Sequence, residues 1–195
     1  MPSPDPARPV RSDARRNRDK LVAVARAAFA TGPVALEAVA REAGVGIGTL
    51  YRHFPTREAL VEAVYAAELD DVTGSAPALL DALSPVEALR AWMDRYAAFV
   101  ATKRGMGDAF RASVASGRIA TPATRQRITA AIGSILDAGA KAGTLRAGVD
   151  PEDVTLLLLG TFLSTVEESD PERTGRMLDL IVDALRVRTQ DADTE

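Results

Sequence analysis

The chain has no cysteine, one histidine and one tryptophan, and aromatic residues make up only 5% of its 195 positions. The missing thiols exclude disulfides, thiolate metal sites and a cysteine nucleophile. A single imidazole, His53, excludes a multi-histidine metal centre and leaves a catalytic triad almost nowhere to form. No apolar run approaches the roughly 18 to 20 residues that span a bilayer. The N-terminus lacks the apolar stretch of a secretory signal, so no membrane partner and a cytoplasmic location are expected. Strand signals are missing too, because nothing alternates with period two among β-branched residues. The net charge is only −3, but it is unevenly spread. Residues 1–60 hold ten Lys and Arg against six Asp and Glu, while the remainder holds fourteen against twenty-one. A basic head on an acidic body suits a head that meets a polyanion.

What is present is helical periodicity. Leu21, Val24, Ala25, Ala28 and Phe29 make one apolar stripe that ends at Thr31-Gly32-Pro33, a strong stop. Leu36, Val39, Ala40 and Ala43 repeat the stripe over two turns, and Gly44 closes that second helix. Ile128, Ala131, Ile132, Ile135 and Leu136 give another stripe. Helix starts are marked by Ser84-Pro85, Thr121-Pro122, Asp150-Pro151 and Asp170-Pro171, each a capping side chain before a proline at the first helical position. Ser84 and Glu87 also have capping-box spacing. The pattern predicts an all-α protein of about nine helices. Residues 1–14, rich in Pro and Arg, and 189–195, rich in Asp and Thr, are expected to be flexible ends.

Two short helices around Gly44-Val45-Gly46 have the spacing of a helix-turn-helix. In the second, Ile47, Leu50 and Phe54 fall on one side, expected to pack on the preceding helices. Gly48, Thr49 and Arg52 fall on the other, flanked by Tyr51 and His53. A cation, two hydroxyls and an imidazole around a bare glycine suit phosphate oxygens and close approach to a groove.

The stretch "AGVGIGTLYRHFPTREALVEAVY", with "LVAVARAAFATG" upstream, resembles the DNA-binding domain of the TetR family of transcriptional regulators over about residues 18–66. That resemblance implies a homodimer with a divergent helical C-terminal domain that binds a small ligand. It implies DNA contacts from Thr49, Tyr51 and His53, with Gly46, Ile47, Gly48 and Arg52 on the same helix. It matches Arg57 to a basic phosphate contact and sets Arg41 near the DNA backbone. Arg15, Arg16 and Arg18 of the basic segment could reach phosphates or the minor groove. The sequence departs from the family pattern in three places. The turn before the second helix is short and lacks a Ser or Thr cap, with Val34 and Ala35 standing there instead. Gly46 replaces a serine cap. Ile47 replaces a polar or basic residue, which leaves apolar contact with a thymine methyl, or DNA shape, to carry more of the specificity.

In the body, "PEDVTLLLLGTFLSTVEES" has apolar residues on two sides: Val154, Leu157, Leu158, Thr161 and Phe162 on one, Leu156, Leu159 and Leu163 on the other. A helix apolar on both sides is buried on both sides. Together with Met177, Leu178, Ile181 and Leu185, the second set is expected to build a four-helix dimer interface. Trp92, Met93, Tyr96, Phe99, Met106 and Phe110, with Thr161 or Thr165 opposite, read either as core or as the lining of a pocket for a small apolar or amphipathic ligand. The expected organisation is an arm at 1–14, a three-helix DNA-binding domain at 15–60, a ligand-binding and dimerisation domain at 61–188, and a tail at 189–195. The expected function is a ligand-responsive repressor with no cofactor, no metal and no catalysis, acting on a near-palindromic double-stranded operator. The alternative is a helical interaction protein whose helix-turn-helix no longer binds DNA.

Overall fold

The computed structural model describes residues 7–165 and 170–187, with side chains from residue 13 onward. The tail expected at 189–195 and the first six residues of the expected arm lie outside these. Among the described residues the chain forms nine helices: α1 (Ala7–Thr31), α2 (Leu36–Glu42), α3 (Ile47–His53), α4 (Arg57–Gly74), α5 (Ala76–Ala82), α6 (Pro85–Ala115), α7 (Pro122–Lys141), α8 (Pro151–Thr165) and α9 (Pro171–Leu185). The β pairing found among them is one isolated antiparallel bridge, Leu145 to Arg186.

The proline-marked starts of α6, α7, α8 and α9 fall where the sequence puts them. The Ser84 hydroxyl and backbone N–H both donate to Glu87 Oε2, at 2.6 and 3.1 Å. Asp170 accepts from the Arg173 N–H at 2.9 Å, capping α9. Residues 7–14, within the segment expected to be a flexible arm, are helical and form the first turns of α1. Pro9 sits in the first turn, where its missing N–H breaks no helical bond, and the Ala and Arg around it favour helix.

The chain divides into two compact units, one reaching to Leu69 and adding Val100–Thr121, the other comprising Asp70–Phe99 and the chain from Pro122 on. This differs from the division expected at residue 60, because the first part of α4 and the last part of α6 pack with the three N-terminal helices. The core of the first unit gathers Leu21, Ala25 and Phe29 of α1, Val39 and Ala40 of α2, Leu50 of α3, Leu60, Val61 and Val64 of α4, and Met106 and Ala109 of α6. Two ionic groups fasten the same helices. Arg26 of α1 donates to the buried Glu68 of α4 at 2.7 Å. Glu62 of α4 accepts from the Ser113 hydroxyl of α6 at 2.9 Å and from Arg118 at 2.6 Å. The last part of α6 is also interrupted, by Gly107 at φ 60 and ψ −137.

Gly105 lets α6 touch the end of α1. A Cβ on it would lie 2.0 Å from the Phe29 carbonyl oxygen and 2.8 Å from that of Gly32.

In the second unit α7 buries its expected stripe, Ile128, Ala131, Ile132, Ile135 and Leu136. α8, which packs on α7, buries Val154, Leu158 and Phe162, and α9, which packs on α8, buries Leu178, Val182 and Leu185. Trp92 is buried and its indole N–H donates to the Val72 carbonyl at 3.0 Å. Tyr96 stands edge-on to Phe162, with ring centroids 5.2 Å apart.

Three expectations about side chains fail here. Leu178 and Leu185, assigned to a partner-facing surface, are buried within the protomer itself, on the same side of α9 as Val182. Leu157, assigned to the core side of α8, is exposed at the stripe's margin. Met106 and Phe110 pack with the N-terminal unit, apart from Trp92, Met93, Tyr96 and Phe99, because the chain changes units after Phe99.

Gly105→Ala should destabilise the protein by about 1–3 kcal/mol, since backbone carbonyls cannot move aside as a side chain could. Equilibrium unfolding in urea checks this. An unchanged midpoint would mean that α1 and α6 separate at no cost.

Candidate nucleic-acid interface

The turn that sets up α3 begins with a helix ending. The Val45 N–H bonds to the Ala40 carbonyl at 3.0 Å and the Gly44 N–H to that of Arg41 at 3.1 Å. This is the paired-bond stop that needs a left-handed residue, and Gly44, at φ 68, supplies it. Val45 then packs against the core of the unit. Gly46 is the N-cap of α3 in extended conformation, with no side-chain cap. Its carbonyl accepts from the Thr49 and Leu50 N–H groups at 2.8 and 3.2 Å.

Helical geometry then separates α3 into an anchor and a free face. Leu50 and Phe54 are fully buried. Gly48, Tyr51 and Arg52 are exposed, and Thr49 and His53 are half-buried. The backbone at Gly48 opens on free space. Ile47, expected to pack beside Leu50, is instead 39% exposed. As the first helical residue after the cap, it belongs to the outward side. Arg41 stands exposed in the last turn of α2. Glycine, isoleucine, threonine, tyrosine, arginine and histidine of one seven-residue helix thus share a short stretch of surface.

The basic groups on either side of this helix are already in contact with protein. Arg18 of α1 lies over the Phe54 ring, its guanidinium carbon 5.3 Å from the centroid. Arg15 is 4.0 Å from Asp19, and Arg16 pairs with Asp13. All four of these charges are well exposed, so the pairs are weak and exchangeable. Arg57 opens α4, where the Thr56 hydroxyl accepts from the Ala59 N–H at 3.2 Å. The neighbouring carboxyl of Glu58 is held below its usual range, first by its own backbone N–H and then by the Thr56 hydroxyl. Arg57 donates its Nη1 to the Val34 carbonyl at 2.6 Å and lies 5.6 Å from the Phe29 ring centroid. The sequence marked Arg57 as basic and well placed but gave no sign of this bond, because its acceptor is a main-chain oxygen.

The residues expected to line a ligand pocket stand differently. Trp92, Met93, Tyr96, Phe99, Thr161 and Thr165 are all buried in the second unit, and the Thr165 hydroxyl donates to the Thr161 carbonyl at 3.0 Å. A cleft of about 490 Å³ lies elsewhere, between the start of α6 and α9, lined among others by Glu87, Arg90, Asp94, Asp179 and Arg186. Arg90 bonds there to Asp179 at 2.6 Å. No group of His, Asp and Glu suited to a metal ion occurs among the described residues.

Comparison with known proteins bears on both parts of the chain. Residues 21–64 match the model of the bacterial regulatory proteins of the tetR family. Residues 84–187 match that of the C-terminal domain of SbtR-like transcriptional regulators. The solved TetR transcriptional regulator SCO0520 from Streptomyces coelicolor is 45% identical, over 87% of this chain and 98% of its own, with a TM-score of 0.75. A TetR transcription regulatory protein from Mycobacterium vanbaalenii is 36% identical, over 91% and 99%, with a TM-score of 0.69. None of the curated proteins matches.

The two sides of α3 should respond oppositely to truncation. Leu50→Ala should cost about 2–5 kcal/mol of stability, whereas Tyr51→Ala should change it by less than about 0.5 kcal/mol. Urea unfolding of both variants checks the split. Comparable losses would mean that Tyr51 is part of the core.

Proposed function

The chain belongs to the TetR family of transcriptional regulators, and from that premise we propose that it is a homodimeric repressor released from a near-palindromic DNA operator by a small molecule. The observation that carries the DNA-binding half is the outward face of α3. Tyr51 and Arg52 project from it beside Thr49 and His53, while buried Leu50 and Phe54 hold the helix in place. Hydroxyl, imidazole and guanidinium donors dock on phosphate oxygens. Ile47, exposed in the first turn, offers a methyl-rich surface to a thymine methyl group. Arg41, Arg15, Arg16 and Arg18 add positive charge toward the DNA backbone.

Dimerisation is supported by the exposed sides of α8 and α9. Leu156, Leu159 and Leu163 form one exposed stripe, and Leu163 is 67% exposed. Leu180 on α9 is 69% exposed, with half-buried Met177 and Ile181 beside it. So many leucines facing solvent on adjacent helices suit an isologous interface with a second copy. Two copies would present two recognition helices to the half-sites of a palindrome. A ligand bound among Trp92, Met93, Tyr96 and Phe99 would open space between rings that now touch. It would release DNA only by binding one conformation better than the other.

Selection of bound DNA from a random pool tests this reading. An enriched inverted repeat is expected, bound by a dimer in sedimentation. Leu163→Glu should shift the protein toward monomer and weaken operator binding together. A pool that yields no enriched sequence would favour an interaction protein with a helix-turn-helix that no longer reads DNA.

A further inference from the structure

The start of α2 has no side-chain cap. Its N-cap is Ala35, extended at φ −76 and ψ 145, and no side chain bonds to the first helical N–H groups. Proteins fasten such a start with a Ser, Thr, Asp or Asn worth about 1 kcal/mol. This turn is also short, with only Gly32 to Ala35 between α1 and α2. What reaches it is Arg57. From the first position of α4 its Nη1 donates to the carbonyl of Val34, the residue just before the uncapped position, at 2.6 Å. The same guanidinium rests over the ring of Phe29, the last buried aromatic of α1, at 5.6 Å. One side chain of α4 therefore ties down the junction of α1 and α2. Since α2 packs on α3, a loose junction would leave the recognition helix loosely aimed.

We propose that Arg57 is a positioning residue, a clasp on the carbonyl just before the uncapped start of α2 that steadies this junction and fixes the recognition helix, and not a phosphate contact. Its effect on binding rests on the DNA-binding reading above. A guanidinium suits the task because its planar group can lie on a ring while its edge donates to a carbonyl. Lysine keeps the charge but loses that geometry. A phosphate contact has the opposite signature. It tolerates lysine, and its removal flattens the dependence of log K on log salt by about 0.9.

The test uses the full chain with Arg57→Lys, Arg57→Ala, Ala35→Ser and the double variant Arg57→Lys/Ala35→Ser. DNA affinity is measured across a salt series below the melting temperature of every variant, with the selected operator as probe. Both Arg57 variants should bind about tenfold more weakly, with the wild-type salt slope. Ala35→Ser supplies the absent cap and should recover most of the loss in the Arg57→Lys background. Without any DNA, amide hydrogen exchange at Leu36, Glu37 and Ala38 should be several-fold faster in Arg57→Lys, with the rest of the chain unchanged. Wild-type affinity for Arg57→Lys, together with a flattened slope for Arg57→Ala, would overturn the clasp in favour of a phosphate contact. A loss that merely follows the unfolded fraction, with no recovery by Ala35→Ser, would overturn it in favour of general stability. If the wild type binds no DNA, the regulatory reading fails, while the exchange measurement still decides whether the clasp exists.

Discussion

The exposed face of α3 depends on two buried side chains, Leu50 within this very short helix and Phe54 at its C-cap. A seven-residue α-helix has too few internal hydrogen bonds to persist in water by itself. Leu50 and Phe54 remove that problem by inserting into the core formed with α1 and α2. With one side anchored, the orientation of the other is settled by helical geometry. Tyr51 and Arg52 have no packing role to fill, so their polar groups remain available. Each burial of about a Leu or Phe side chain contributes on the order of 1.5–3 kcal/mol, which is enough to hold two turns of helix in register.

The N-terminal unit is not built from the first helices alone. Residues of α4 and of the last part of α6 close its core, and the charged links Arg26–Glu68 and Ser113–Glu62–Arg118 run between the same elements. A carboxylate as buried as Glu68 is tolerable only with a charged partner at hydrogen-bond distance. Gly105 removes the side chain that would otherwise keep α6 off the end of α1. The helices α4 and α6 each begin in one compact unit and end in the other, so the two units are joined by continuous helical backbone.

Features that depend on local chemistry were legible in the sequence. Proline after a capping side chain marked four helix starts, Gly44 marked the end of α2, and the apolar stripe of α7 follows from periodicity alone. The all-α fold and the anchor residues Leu50 and Phe54 came from the same source. Features that depend on which neighbour takes which face were not legible. The apolar sides of α9 look alike in the sequence, yet Leu178 and Leu185 serve the protomer core while Leu180 is left outside. Met106 and Phe110 follow Phe99 at helical spacing but join another core, since spacing does not reveal a change of partner. Arg57 was visible as a cation, but its acceptor is a backbone carbonyl at a site of different sequence number, which no side-chain pattern encodes.

The central claim is that the free face of α3 is the surface that meets DNA. Amide chemical-shift or hydrogen-exchange mapping of the full chain, with and without the selected duplex, tests it most directly. Changes concentrated at Gly46–His53, extending to the basic turns of α1, are the predicted result. A duplex that binds while leaving Gly46–His53 unperturbed would contradict the account.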